Sequence, residues 1–175
     1  MPAEVSANLL LSSDGRATLN RSSKQLSFPA DRSRFHEIRS RAELILIGGN
    51  TARCEPYSTT PVPLVVLTRA SEIKEVANNS HVTLMNSDLG TVLTLLKHSY
   101  AAILIEAGPA LVFEGLSLGL IDTLYLSISE LTGDAEAKRY ELADALSGYQ
   151  LLETTLVAGG ELRRYSLVAP PSGDK

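Results

Sequence analysis

The stretch "ILIEAGPALVFEGLSLGLID", residues 103–122, decides how the chain is to be read. An apolar run stops on a carboxylate, Glu106, and a Gly-Pro pair then opens a helix. Gly108 allows a tight turn without a side chain in the way, and Pro109 suits the first helical turn. A buried strand that feeds straight into a helix is the unit of a layered α/β domain. Upstream, "DLGTVLTLLKHS" (88–99) carries apolar residues at helical spacing behind Ser87 or Asp88 as a cap, and leads into "AAILIEAG". Downstream, "DTLYLSISEL" (122–131) alternates like a half-exposed strand.

The same alternation extends to both ends. "VSANLLLSS" (5–13) is a strand ended by the turn signal "SDG", and a polar loop follows. "SFPADRSRFHEIRSRA" (27–42) is a helix with Ser27 as candidate cap. "LILIGG" (44–49) and "PLVVLTR" (63–69) are continuous apolar runs, the pattern of a sheet covered on both faces, with "HVTLMN" (81–86) a weaker version. Near the end, two alternating runs flank Gly159-Gly160, a β-hairpin signal. The expected architecture is α/β, a mostly parallel central sheet flanked by helices with a C-terminal antiparallel hairpin.

The length of 175 residues fits one domain, placed at 1–170, with 171–175 a disordered tail. A net charge of -4 with interspersed signs argues against a nucleic-acid surface. No apolar run approaches the roughly 18 residues that span a membrane, so a cytoplasmic protein without a membrane partner is expected. A single cysteine, Cys54, excludes an internal disulfide and a cysteine-rich zinc site. His36, His81 and His98 have no metal-ligand spacing, and the chain lacks a G-x-S-x-G elbow, a six-residue dinucleotide fingerprint and a P-loop.

Chemistry concentrates at three strand exits, where open α/β sheets bind ligands. Gly48, Gly49 and Thr51 allow close backbone approach and offer a hydroxyl; Glu55, before Pro56, is either a crevice carboxylate or a surface acid. Thr68, Arg69 and Ser71 offer a guanidinium and two hydroxyls suited to a phosphate, unless Arg69 is only a solvated loop cation. At the third exit, Gly108 and the helix start at Pro109 form either a plain tight turn or an anion site. Glu106 is either a ligand contact or a structural acid bonded to backbone N–H groups.

Taken together, "ANLLLSSDGRA", "FHEIRSRAELILIGGNTARCEP", "PLVVLTR" and "ILIEAGPALVFEGLSLGLIDTLYLSI" resemble the C-terminal reductase domain of bacterial riboflavin biosynthesis proteins. That resemblance implies a dihydrofolate-reductase-like fold, a homodimer, and NADPH-dependent reduction of 5-amino-6-(5-phosphoribosylamino)uracil, with hydride delivered to C1′. It places NADPH along Gly48, Gly49 and Thr51, its 2′-phosphate at Thr68, Arg69 and Ser71, and its pyrophosphate at Ala107, Gly108, Pro109 and Ala110. Asp14, Arg16, Ser23, Gln25 and Arg39 fall where the family contacts substrate, Arg39 and Ser23 on the phosphate. Glu106 and Glu55 also fall where the family contacts the sugar phosphate, and they are the catalytic candidates, expected to orient substrate hydroxyls. Gln25 stands where relatives often have Trp, Glu55 where they have Asp, and "PYSTTPVP" lacks a common arginine. The resemblance leaves two other functions open: a reductase of dihydrofolate or another heterocycle, and a nucleotide-binding protein without turnover. The deaminase half of many relatives is absent, because no H-x-E and P-C-x-x-C pair occurs.

Overall fold

The structure, a computed structural model, describes residues 2–168; the expected tail at 171–175 lies outside them. Eight strands form one sheet: β1 (Glu4–Leu11), β2 (Leu44–Gly48), β3 (Leu64–Leu67), β4 (Val82–Met85), β5 (Ala102–Ile105), β6 (Thr123–Ser129), β7 (Tyr149–Val157) and β8 (Gly160–Leu167). Their spatial order is β4-β3-β2-β5-β1-β6-β8-β7. The first six run parallel, and β8 and β7 close the sheet antiparallel. The expected sheet and terminal hairpin are both present.

Five helices accompany it: α1 (Pro29–Ser40), α2 (Gly49–Cys54), α3 (Leu89–Leu96), α4 (Pro109–Ser117) and α5 (Leu142–Ala145). The alternation of the strands decides what each covers. Val5, Ala7, Leu9 and Leu11 of β1, with Leu44, Leu46, Ile103 and Ile105, pack with Val92, Leu93, Val112 and Leu116 of α3 and α4. On the opposite face Ile45, Ile47, Leu64 and Val66 enclose Ala52 of α2 and Tyr57. Fully burying each large aliphatic contributes about 1.5–3 kcal/mol, so the two-sided sheet is the main source of cohesion.

Helix starts follow local chemistry. Asp88 caps α3 by accepting from Thr91 N at 2.9 Å and Thr91 Oγ1 at 2.6 Å, which settles the Ser87 or Asp88 alternative. At α1 the expected cap, Ser27, does not cap. Phe28 is the N-cap residue and makes no side-chain bond. Ser27 Oγ instead donates to Asp31 Oδ2 at 2.6 Å, and Ser127 Oγ donates to Asp31 Oδ1 at 2.5 Å. A buried carboxylate needs those donors more than the helix end needs a cap. Arg34 Nη2 also donates to Ser127 Oγ, which fixes α1 over β6 on the face opposite α3 and α4.

The hairpin turns through Ala158 and Gly159, with Val157 opposite Gly160. Gly159 holds φ +91°, a left-handed value that glycine tolerates. The predicted half-exposed strand 122–131 is more buried than expected, because β6 lies between β1 and β8, and Leu124, Leu126, Ser127 and Ser129 are buried.

Candidate active site

The three strand exits meet. Gly108 N donates to Thr51 Oγ1 at 3.2 Å, joining the β5 exit to the β2 exit. A Cβ placed on Gly49 would stand 3.0 Å from Thr68 Oγ1, so the β2 and β3 exits are also in contact. Gly48 and Gly49 open α2 directly rather than a loop, and Thr51 projects from that helix. Short α2 forms despite poor helix formers at its start because Ala52 is fully buried beneath it. Pro109 sits at the first position of α4, which has no side-chain cap. Ala110 is exposed beside it, and the first-turn N–H groups are open to an anion.

Beside these exits lies an open cavity of about 250 Å³ whose lining includes Thr68, Arg69, Asn86, Ser87, Asp88 and Glu114. Asn86 and Ser87 were not among the candidate ligand residues, Ser87 having been singled out only as a possible cap. Ser71 is exposed and does not line the cavity. The Thr91 hydroxyl and backbone N–H hold the Asp88 carboxyl below its ordinary pKa, so it stays charged near Arg69.

On the other side of the β5 exit the candidate side chains fold onto one another. Arg16 pairs with Asp14. Asp14 accepts from Ser12 Oγ at 2.6 Å and Gly133 N at 2.9 Å, and Arg16 Nε donates to Ala137 O at 3.1 Å. The Ser12 bond, then Gly133 and Arg16, lower the Asp14 pKa. Ser23, in a 3-10 turn, donates to Glu55 Oε1 at 3.0 Å, which brings two predicted residues together. Gln25, in the same turn, is exposed and makes no side-chain bond.

Glu106 directly follows β5, its N–H donating to Leu46 O at 3.0 Å. Its side chain is 2% exposed. Oε2 accepts from Arg39 Nη2 at 3.0 Å and from Tyr57 Oη at 2.8 Å, while Oε1 is buried without a partner. The alternative of an acid satisfied by backbone N–H groups is therefore not what is built. Burial raises the Glu106 pKa, opposed by Arg39 and Tyr57. Burial, then the Glu106 charge, also raises the Tyr57 phenol, which stays a donor. Tyr57 was missed from sequence; the available signal was a lone aromatic directly after the Glu-Pro pair.

Most of the chain, residues 3–141, matches the family model described as the RibD C-terminal domain. No curated protein matches. Among solved structures, a pyrimidine reductase-like protein from Corynebacterium diphtheriae is 19% identical with a TM-score of 0.73, covering 96% of this chain and 93% of that one. RibD from Acinetobacter baumannii is 20% identical with a TM-score of 0.76, covering 96% of this chain but 59% of that one. Dihydrofolate reductase from Enterococcus faecalis, solved with NADP(H), is 15% identical with a TM-score of 0.68, covering 94% of this chain and 96% of that one. At such identities the likeness is one of fold, and that fold is dihydrofolate-reductase-like. With its matched residues spanning β1 to the approach to α5, the chain belongs to the RibD C-terminal domain family.

Proposed function

We propose that the protein is an NADPH-dependent pyrimidine reductase of the riboflavin pathway, converting the ribosyl unit of 5-amino-6-(5-phosphoribosylamino)uracil to ribityl. The observation that carries this reading is the junction of strand exits held by the Thr51 to Gly108 bond, in a chain of this family. That junction suits the cofactor chemically. Gly108 admits close backbone approach, the uncapped start of α4 suits a pyrophosphate, and Arg69 with Thr68 suits a further phosphate. Bound NADPH would supply the hydride. The chain's own residues position the substrate and handle its protons, and positioning supplies most of the acceleration in such a reduction. Glu55 and Ser23 form a polar pair on the substrate side.

A second reading has its own support. Arg39, which the family resemblance assigns to the phosphate, and Arg16, which it places at the substrate, are each paired with a carboxylate of this chain. That favours a heterocycle without a phosphate, dihydrofolate among them. The test is NADPH oxidation assayed separately with the aminouracil phosphate and with dihydrofolate. Turnover of the former supports the first reading, and of the latter alone the second. Thermal protection by NADPH without turnover of either would leave a nucleotide-binding protein. No protection by millimolar NADPH would overturn all three.

We also infer a homodimer, with the edge strand β7 as its contact. Its Leu151, Leu152 and Leu156 are exposed, 79% in the last case, on an edge bearing neither proline nor lysine. Light scattering at the monomer mass would refute it. Among the described residues no helix is long and apolar enough to cross a membrane.

A further inference from the structure

Between α2 and β3 the chain runs through residues 55–63 without regular structure. Among the described residues, 58–62 make no backbone-to-backbone hydrogen bond. Yet this connection carries Glu55, bonded to Ser23, and Tyr57, bonded to Glu106. Only two of its residues are buried, Tyr57 and Thr60. Both are tied to one residue of a different connection: Asn79 Nδ2 donates to Tyr57 O at 3.1 Å and to Thr60 Oγ1 at 3.0 Å.

Asn79 stands where the pattern calls for an apolar residue. The buried residues of the link between β3 and β4 are Ile73, Val76 and Asn79, spaced three apart, and Ile73 and Val76 belong to the apolar cluster that holds Tyr57. A buried amide costs stability unless its polar ends are bonded, and here they are. Oδ1 accepts from His81 N at 2.9 Å, which closes a local turn and leaves both Nδ2 hydrogens for the neighbouring connection. The backbone of Asn79 is fixed as well, its N–H donating to Val76 O and its carbonyl accepting from Val82 N. The two groups it meets both need a donor. Tyr57 O is a carbonyl, and Thr60 Oγ1 gives its own proton to Val62 O at 2.8 Å. An apolar side chain would fill the same space and strand two buried oxygens.

We propose that Asn79 is a positioning residue for the reaction: by holding Tyr57 O and Thr60 Oγ1 it sets the place of the 55–60 segment, and with it the phenol beside Glu106 and the carboxylate beside Ser23. Asn79 acts through Tyr57 and Glu55. None of its bonds goes to Thr51, Arg69 or Gly108, so the cofactor side is independent of it. The kinetic consequence rests on the pyrimidine reductase reading; the structural one does not.

The test uses Asn79→Ser. Serine keeps a hydroxyl that accepts from the N–H two residues on, which preserves the local turn, but it is shorter and has a single proton in place of the two that Nδ2 gives. The first readout is the Glu106 carboxyl followed by carbon-13 NMR against pH in the unliganded protein. The Tyr57 bond opposes the upward push of burial on Glu106, so releasing the segment should shift its titration further up, in the same direction as Tyr57→Phe. The second is kinetic. Turnover of the aminouracil phosphate should lose roughly tenfold to a hundredfold in kcat/KM, the usual cost of a small misplacement. NADPH affinity should change less than about twofold, as for independent sites. Combined with Tyr57→Phe, the loss should be smaller than the product of the single losses. If Asn79→Ser does not fold, Thr60→Val removes one of the two ties and should move Glu106 the same way to a smaller extent. An unmoved Glu106 titration in the folded variant would overturn the proposal, as would losses that multiply in the double variant or an NADPH loss as large as the substrate loss. A shifted Glu106 titration in a protein that oxidises NADPH with no pyrimidine would refute the reductase reading alone. Wild-type kcat/KM for the aminouracil phosphate in Asn79→Ser would refute this inference alone.

Discussion

Tyr57→Phe isolates one hydroxyl at the centre of the site. The ring, its packing among Ile45, Leu64 and Val66, and its contact with Arg39 are all kept. What is lost is the 2.8 Å bond to Glu106 Oε2. A bond to a charged acceptor contributes about 1.5–3 kcal/mol and one to a neutral acceptor about 0.5–1.5 kcal/mol. The penalty therefore depends on whether Glu106 is ionised. Above its raised pKa the variant should lose about 1.5–3 kcal/mol, which for a chain of this size lowers Tm by roughly 3–12 °C. As pH falls and the carboxyl takes up a proton, the loss should shrink to about half. Urea unfolding of both proteins across the acid to neutral range gives the difference directly. A penalty that grows toward acid, or that stays below about 0.5 kcal/mol throughout, would refute the argument that this hydroxyl stabilises a buried charge.

Glu106→Gln removes the titration itself. Because the folded-state pKa of Glu106 is raised, the native state holds the proton more tightly than the unfolded chain, and its stabilising effect is present below the unfolded value and lost as pH rises through the folded one. Wild type should lose stability relative to the variant over that window, and parallel pH curves would contradict the shift. Gly108→Ala should fold normally, within about 0.5 kcal/mol of wild type, since φ is -60° and the added Cβ meets only Thr51 Oγ1 at 3.8 Å. Its NADPH affinity should nonetheless fall; unchanged affinity would remove the β5 turn from the pyrophosphate. Arg69→Ala should weaken NADPH much more than NADH, and equal losses would exclude Arg69 from the 2′-phosphate.

What could be read from the sequence follows from the range of the forces involved. Parallel strands covered on both faces announce themselves as unbroken apolar runs, so "LILIG" and "LVVL" were visible without any tertiary knowledge. The hairpin was visible because Gly159 must take a positive φ. Helix α2 was not, because "GNTARC" opens on three poor helix formers and is fixed by burying Ala52. Tyr57 was not visible either. Its burial depends on partners remote in the chain, including Asn79 Nδ2, which donates to the Tyr57 carbonyl at 3.1 Å. At the exits the residue types alone carried the signal, since small residues and a helix start suit a ligand whatever their neighbours do.

The two sides of the β5 exit thus work by different principles. On the cofactor side, the uncapped first turn of α4 and the exposed Arg69 leave polar groups open beside the Thr51 and Gly108 bond, so a ligand gains contacts there without dislodging any. On the substrate side, Asp14 has Arg16, Glu55 has Ser23, and Glu106 has both Arg39 and Tyr57. A substrate group that displaces one of these bonds gains only the difference between the new bond and the old, while one that meets Arg39 Nη1 gains a bond with none to break. Selectivity should therefore arise where the internal pairing is incomplete. Among the paired candidates, Arg16 Nη2 and Arg39 Nη1 are the donors left both unbonded and outside the buried set, so selectivity falls to those two nitrogens.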